Sequence, residues 1–249
     1  MNWVAQHTSS TQQRDKRFFT NKGCLLPKVA AFFLKRKEVG NTSKMITLLG
    51  KMRKQMNGAV ADAMFYYGAN YGLNYGVSLP TVREIAQQEE CDHALAQYLF
   101  KQQVRELKLA ALHIADPAEL TPTTAMEWAA GINNSELAEE AAFALLHRAP
   151  ALKEIIPQWM ASNNEFAAYA AMMAAARSKS LSAEELSLIR KVVEHYPTSR
   201  PIAQGAVAML ASAYLNNELK DCVKEVLASL APSPATEYIS EEMSWRMEF

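Results

Sequence analysis

The chain has 249 residues, of which 49% are hydrophobic and 21% charged, with only 9 Gly and 10 Pro. Collagen-like, low-complexity and wholly disordered chains are excluded, and the length suits a single large core. No apolar run approaches the ~20 residues that span a bilayer. The three cysteines, Cys24, Cys91 and Cys222, are an odd number without CxxC spacing. A soluble protein of the reducing cytoplasm is therefore expected, without a disulfide framework or a zinc cluster.

The formal net charge of zero hides an asymmetry. Residues 1–44 carry nine Lys/Arg against two acids, and residues 45–249 carry seventeen against twenty-four. Residues 1–44 read as a basic, weakly patterned leader, either disordered, or lying upstream of a true start at Met45, or acting as a nucleic-acid arm. Helical spacing of apolar residues starts near Met45. Pro80 opens a helix reaching residue 88. A stripe of Leu95, Leu99, Val104, Leu107, Ala111 and Ile114 predicts one helix over 92–114, stopped by Asp116-Pro117 because the residue before proline leaves the helical region. Thr121 as N-cap and Pro122 in the first turn start the next, which Gly131 ends. Asn134 and Ser135 offer caps for 136–147, and segments 151–160 and 165–177 follow. Ser182 through Glu185 form a capping-box pattern for a helix ending near His195. Segments 201–214 and 218–230 complete the series, leaving 233–249 as a C-terminal tail.

These helices come in pairs of roughly 30–37 residues, with no strand-like alternation and no Gly-rich phosphate loop. An all-α class follows, with 45–232 read as an α-solenoid of stacked HEAT-like helical pairs. Solenoids create long surfaces suited to nucleic acid or extended protein.

His93, His113, His147 and His195 are scattered along the chain, and none pairs with another at i+3 or i+4, which argues against a metal site. His113, on an apolar face, reads as a satisfied core histidine. His147-Arg148 reads as a pair of cations over helix C-terminal carbonyls. Glu139 and Glu140 share a helix whose preceding partner bears Trp128. An acid and an aromatic shelf facing one groove would stabilise a cationic substrate, although two solvated glutamates satisfy the same pattern. Arg83, Lys101, Arg105 and Lys108 form a basic series that suits phosphate contact.

The run Tyr75-Gly76-Val77-Ser78-Leu79-Pro80-Thr81-Val82-Arg83-Glu84-Ile85-Ala86 resembles the opening signature of the DNA alkylation repair family, the HEAT-like alkylpurine DNA glycosylases. Leu99-Phe100 and Glu106-Leu107-Lys108 with Ala111 are similar to its next helix, with Phe and Lys where the family has Trp and Arg. Trp128 fits a recurrent tryptophan before a loop. The resemblance spans about residues 45–230. It implies a right-handed stack of helical pairs cradling duplex DNA in a concave basic face. In active members it implies release of cationic N3- or N7-alkylated purines, aided by an aspartate that stabilises the developing sugar cation. Neither metal nor cofactor is implied, nor a membrane. Carried over position by position, the paired aromatic and the aspartate fall on Ser135 and Glu139. The family arginine falls on Tyr169 and a later tryptophan on Met209. Glu139 is thus the implied catalytic acid, with Glu136 and Glu140 as alternatives. Arg83, Arg105, Lys108, Trp128 and Tyr169 are the implied DNA-binding set. The implied function is duplex DNA binding with at most weak N-glycosylase action. The competing reading is a non-catalytic scaffold for a protein or nucleic-acid partner.

Overall fold

The computed structural model describes residues 26–69, 71–178 and 181–248, with side chains from Gly40 onward. Two compact units divide the chain, Met1–Ile46 and Thr47–Phe249. The described part of the first unit is helical and belongs to α1 (Leu26–Arg53), so helix begins well before Met45. Residues 1–25 of the expected leader lie outside the described residues. The second unit holds everything discussed below.

Twelve more α-helices follow among the described residues: α2 (Gly58–Tyr66), α3 (Leu79–Gln87), α4 (His93–Phe100), α5 (Arg105–Ile114), α6 (Pro122–Ala129), α7 (Ser135–Ala144), α8 (Leu152–Met160), α9 (Glu165–Arg177), α10 (Ala183–His195), α11 (Arg200–Tyr214), α12 (Lys220–Ser229) and α13 (Pro234–Met247). Polar side chains start most of them. Ser78, Asp92, Thr121, Asn134, Asn164, Ser182, Ser199 and Ser233 each accept a hydrogen bond from a first-turn amide that has no intrahelical partner. Thr121 with Thr124 and Ser182 with Glu185 complete reciprocal capping boxes.

Helices α3, α5, α7, α9, α11 and α13 pack side by side as one row, and α6, α8, α10 and α12 form a second row behind it. This is the all-α stack of HEAT-like helical pairs read from the apolar spacing. The rows approach closely where side chains are small. In α9, Ala167, Ala168, Ala170, Ala171, Ala174 and Ala175 are all buried between α7, α8 and α11. On α11, a Cβ at Gly205 would lie 3.0 Å from Tyr169 Cδ2 and 3.1 Å from Met172 Cβ. The missing side chain therefore lets the Tyr169 ring pack flush against α11. Asn164 ties successive pairs together, its Nδ2 donating to the carbonyls of Ala129 (2.9 Å) and Ile132 (2.8 Å).

Two expectations change. The single helix over 92–114 is two helices, because Val104 adopts an extended conformation (φ −127°) and pairs with Leu73. Leu73 N–H donates to the Gln103 carbonyl, and Arg105 N–H donates to the Leu73 carbonyl. The apolar stripe runs through this break uninterrupted, so periodicity alone could not place it. Residues 233–249 also contain a full helix rather than a trailing tail. Ser233 caps α13, and its Ala235, Ile239 and Met243 are buried, with α13 packed on α11. Ile239 has no exposed surface. Ile239→Ala should therefore cost about 2–4 kcal/mol, as a large-to-small core change does, measured by denaturant unfolding. A trailing tail would show no change.

Candidate functional site

Helix α7 carries Glu136, Glu139 and Glu140, and packing sends the three carboxylates to three different places. Glu136 accepts from Arg105 Nε (2.8 Å), from Arg105 Nη2, and from the Tyr71 hydroxyl (2.6 Å). Glu140 is buried, accepting from Arg83 Nε (2.9 Å) and Nη2 (2.6 Å) on one side and from His113 Nε2 on the other. Glu139 alone among the three stays exposed, and one of its oxygens accepts from the Tyr169 hydroxyl at 2.8 Å.

Burial opposes the charge of Glu140, yet the hydrogen bonds from His113 and Arg83 outweigh it and hold the carboxyl down at about 2. Burial likewise acts against the Arg105 guanidinium, and Glu136 and Glu106 more than compensate, keeping it charged. Tyr71 is pushed upward by burial and then by Glu136. Tyr169 is pushed upward by burial and then by its hydrogen bond to Glu139. The Tyr169 hydroxyl is consequently a permanent donor that orients one Glu139 oxygen and leaves the other available.

Glu139 and Tyr169 line a groove of about 260 Å³ that crosses four helices of the first row. Met173 continues it on α9, Gln204, Val207 and Ala208 form its floor on α11, and Tyr238 and Arg246 close it on α13. Arg246 donates to Glu242 one turn earlier, and the Arg200 guanidinium stands 3.6 Å from the Tyr238 ring centre. One acid, Glu139, and one already paired arginine, Arg246, line the groove. Its α13 wall could not be anticipated while 233–249 was read as a tail. The signal was nevertheless present, since Ser233-Pro234 repeats the cap-then-proline start of Thr121-Pro122.

Three other members of the expected DNA-binding set, Arg105, Lys108 and Trp128, are placed inside the protein. Arg105 is 2% exposed, donating to Glu136, Glu106 and the Val77 carbonyl. Lys108 is 5% exposed, its Nζ donating to the Gly131 carbonyl (3.0 Å) above the Phe100 ring. Trp128 is 3% exposed between Phe100 and His93, on the second row and away from Glu139. Burial removes all three from any phosphate-facing role, and they hold helices together instead. Arg83 is half-buried, its charge spent on Glu140 and its guanidinium over Phe143. His113 is the satisfied core histidine expected, through Glu140. His147 and Arg148 reach the carbonyls of Ala142 and Ala144 near the end of α7.

The motif residues behind the resemblance are structural as well. Glu106 has no exposed surface and accepts from the amides of Tyr75 and Val77. Gly76 has φ +68°, and a Cβ there would meet the Asn57 carbonyl oxygen at 2.0 Å, so only glycine fits. Among the described residues, no three His, Cys, Asp or Glu side chains gather as a metal site, and no helix is long and apolar enough to cross a membrane.

Residues 48–230 match the family model described as DNA alkylation repair enzyme. A solved structure described as "A new family of proteins related to the HEAT-like repeat DNA glycosylases with affinity for branched DNA structures" matches with a TM-score of 0.62 and 17% identity. The match covers 80% of this chain and 93% of that one. No curated protein matches by sequence.

The Glu140 site makes a pH prediction. A carboxyl held at about 2 stabilises the fold fully above its ordinary value near 4.5 and loses that contribution as pH falls toward 2. Glu140→Gln should cost about 3 kcal/mol near neutrality, because Arg83 loses its counter-charge and His113 its carboxylate acceptor. The gap to the unaltered protein should narrow between pH 5 and 3 in thermal melts, whereas a gap independent of pH would contradict the ionised pairing.

Proposed function

Because the chain belongs to the DNA alkylation repair enzyme family, we propose that it binds DNA across the first-row face. On this reading, Glu139 is the group that meets the positive charge of a cationic alkylated purine site. The observation that carries the reading is the Glu139–Tyr169 pair at the groove. Of the three α7 carboxylates, it alone is exposed and free of a cationic partner within hydrogen-bond reach.

An N3- or N7-alkylated purine already carries a positive charge. When its glycosidic bond breaks, the base takes the bonding electron pair and becomes neutral, the sugar is left cationic, and water then adds to it with loss of a proton. A fixed carboxylate beside that sugar lowers the barrier by electrostatic stabilisation. Tyr169 acts as a positioning residue, holding one Glu139 oxygen by hydrogen bond. The absence of a second carboxylate or an unpaired cation among the groove-lining residues supports slow base release at most.

One observation favours a second reading, DNA binding without base release: the groove beside Glu139 holds no second carboxylate, and Tyr169 stands where the resemblance places an arginine. The structurally similar protein is described as having affinity for branched DNA structures, and such binding needs no catalytic acid.

Base release from methylated duplex DNA separates the two. Glu139→Gln removes charge at nearly constant volume and should lower the rate by on the order of 10²-fold. Equal rates would remove Glu139 from catalysis. No release by the unaltered protein, with binding retained, would establish the second reading.

A further inference from the structure

Helix α2 is built from Gly-Ala-Val-Ala-Asp-Ala-Met-Phe-Tyr, and not one of its residues is buried. A helix this apolar is normally covered on at least one face, and a short one gains little stability from its backbone alone. Here Val60, Phe65 and Tyr66 are 39%, 72% and 82% exposed, and Tyr67, just past the helix, is 84% exposed. The Tyr66 and Tyr67 rings lie 5.2 Å apart at 86°, so they present two differently oriented aromatic faces. Gly68, at φ +86°, turns the chain immediately after them. An exposed aromatic cluster of this kind marks a binding surface.

Charge identifies the occupant. Within the second unit, residues 47–83 carry four Lys/Arg against one acid, and residues 84–249 carry 13 against 23. Of these cations Lys51 pairs with Glu89 and Arg83 with Glu140, so Arg53 and Lys54 are the two that lie beside α2 without a carboxylate, with Asp62 the single acid. Arg53 and Lys54 are exposed at the N-terminal approach to α2, where Asn57 N–H bonds the Tyr75 carbonyl and Arg53 stands over the Tyr75 ring.

We infer that α2, with Phe65, Tyr66, Tyr67, Arg53 and Lys54, is a docking surface for the unpaired bases of single-stranded DNA. Exposed rings stack on any base face, and adjacent cations hold the backbone phosphates. A duplex keeps its bases stacked on one another and offers this surface only phosphates. The inference rests on the DNA reading above for the class of polymer, and on α2 alone for the surface.

The test uses the full chain, a labelled oligothymidine strand and a blunt duplex of equal length. Tyr66→Ala combined with Tyr67→Ala should weaken single-strand binding by about tenfold or more and leave duplex binding unchanged. The melting temperature should hold, since neither ring is buried. Tyr66→Phe with Tyr67→Phe keeps both rings and should restore the affinity. Arg53→Gln should lower the salt slope by about one unit. Unchanged single-strand affinity, or equal losses for strand and duplex, overturns the inference. So does a concentration-dependent dimer that the double alanine variant abolishes while strand affinity holds, since the cluster is then a self-contact. Base release is read separately through Glu139→Gln. Loss of strand binding in a protein that releases no base therefore keeps this surface and removes only the glycosidic reading.

Discussion

Buried carboxylates hold the first three helices of the row together. Glu106 sits with no exposed surface under the loop before α3, satisfied by two loop amides and Arg105. Glu140 lies between Arg83 of α3 and His113 of α5. An ionised carboxylate at such depth is tolerated only when every acceptor position is met, and removing one partner leaves a charge without compensation. The register of α3, α5 and α7 is therefore set by ionic pairs of fixed geometry, whereas the later repeats rely on alanine-rich contacts that are less directional.

That arrangement decides which chemistry remains possible. Arginines that might have met a phosphate backbone are drawn inward by Glu136 and Glu140, and Lys108 is taken up by the Gly131 carbonyl. Glu139 escapes because it lies one position before Glu140 on α7. A rotation of about 100° per residue carries it from the core-facing side to the groove, where a neutral tyrosine meets it instead of a cation. A carboxylate with a neutral donor keeps its negative charge available to a ligand. One neutralised by arginine does not.

The distribution of charge has the same logic at a larger scale. Burial takes two cations, Arg105 and Lys108, and three acids, Glu106, Glu140 and Glu185, off the surface, and each ion pair removes one charge of either sign, so the repeats keep the acidic balance of their composition. On the proposed docking of a single strand at α2, Arg53 and Lys54 supply the local positive charge that this acidic balance otherwise lacks.

The amino-acid sequence by itself determined the all-α class, most helix starts and the pairing into repeats. Caps, prolines and apolar spacing act over a few residues and need no distant partner. It also carried the signature containing Gly76, Arg83 and Glu106, but not what those residues do. Tertiary structure alone decided that 92–114 breaks at Val104, because the break depends on Leu73 arriving from another segment. It decided that 233–249 closes the groove, because the apolar face of α13 acquires meaning only against α11. And it decided which of three nearby glutamates stays free, since Glu136, Glu139 and Glu140 are alike in type and differ only in what lies opposite them: Arg105, Tyr169, and Arg83 with His113. Long-range electrostatic partners come together through packing, and a linear pattern does not encode their distances.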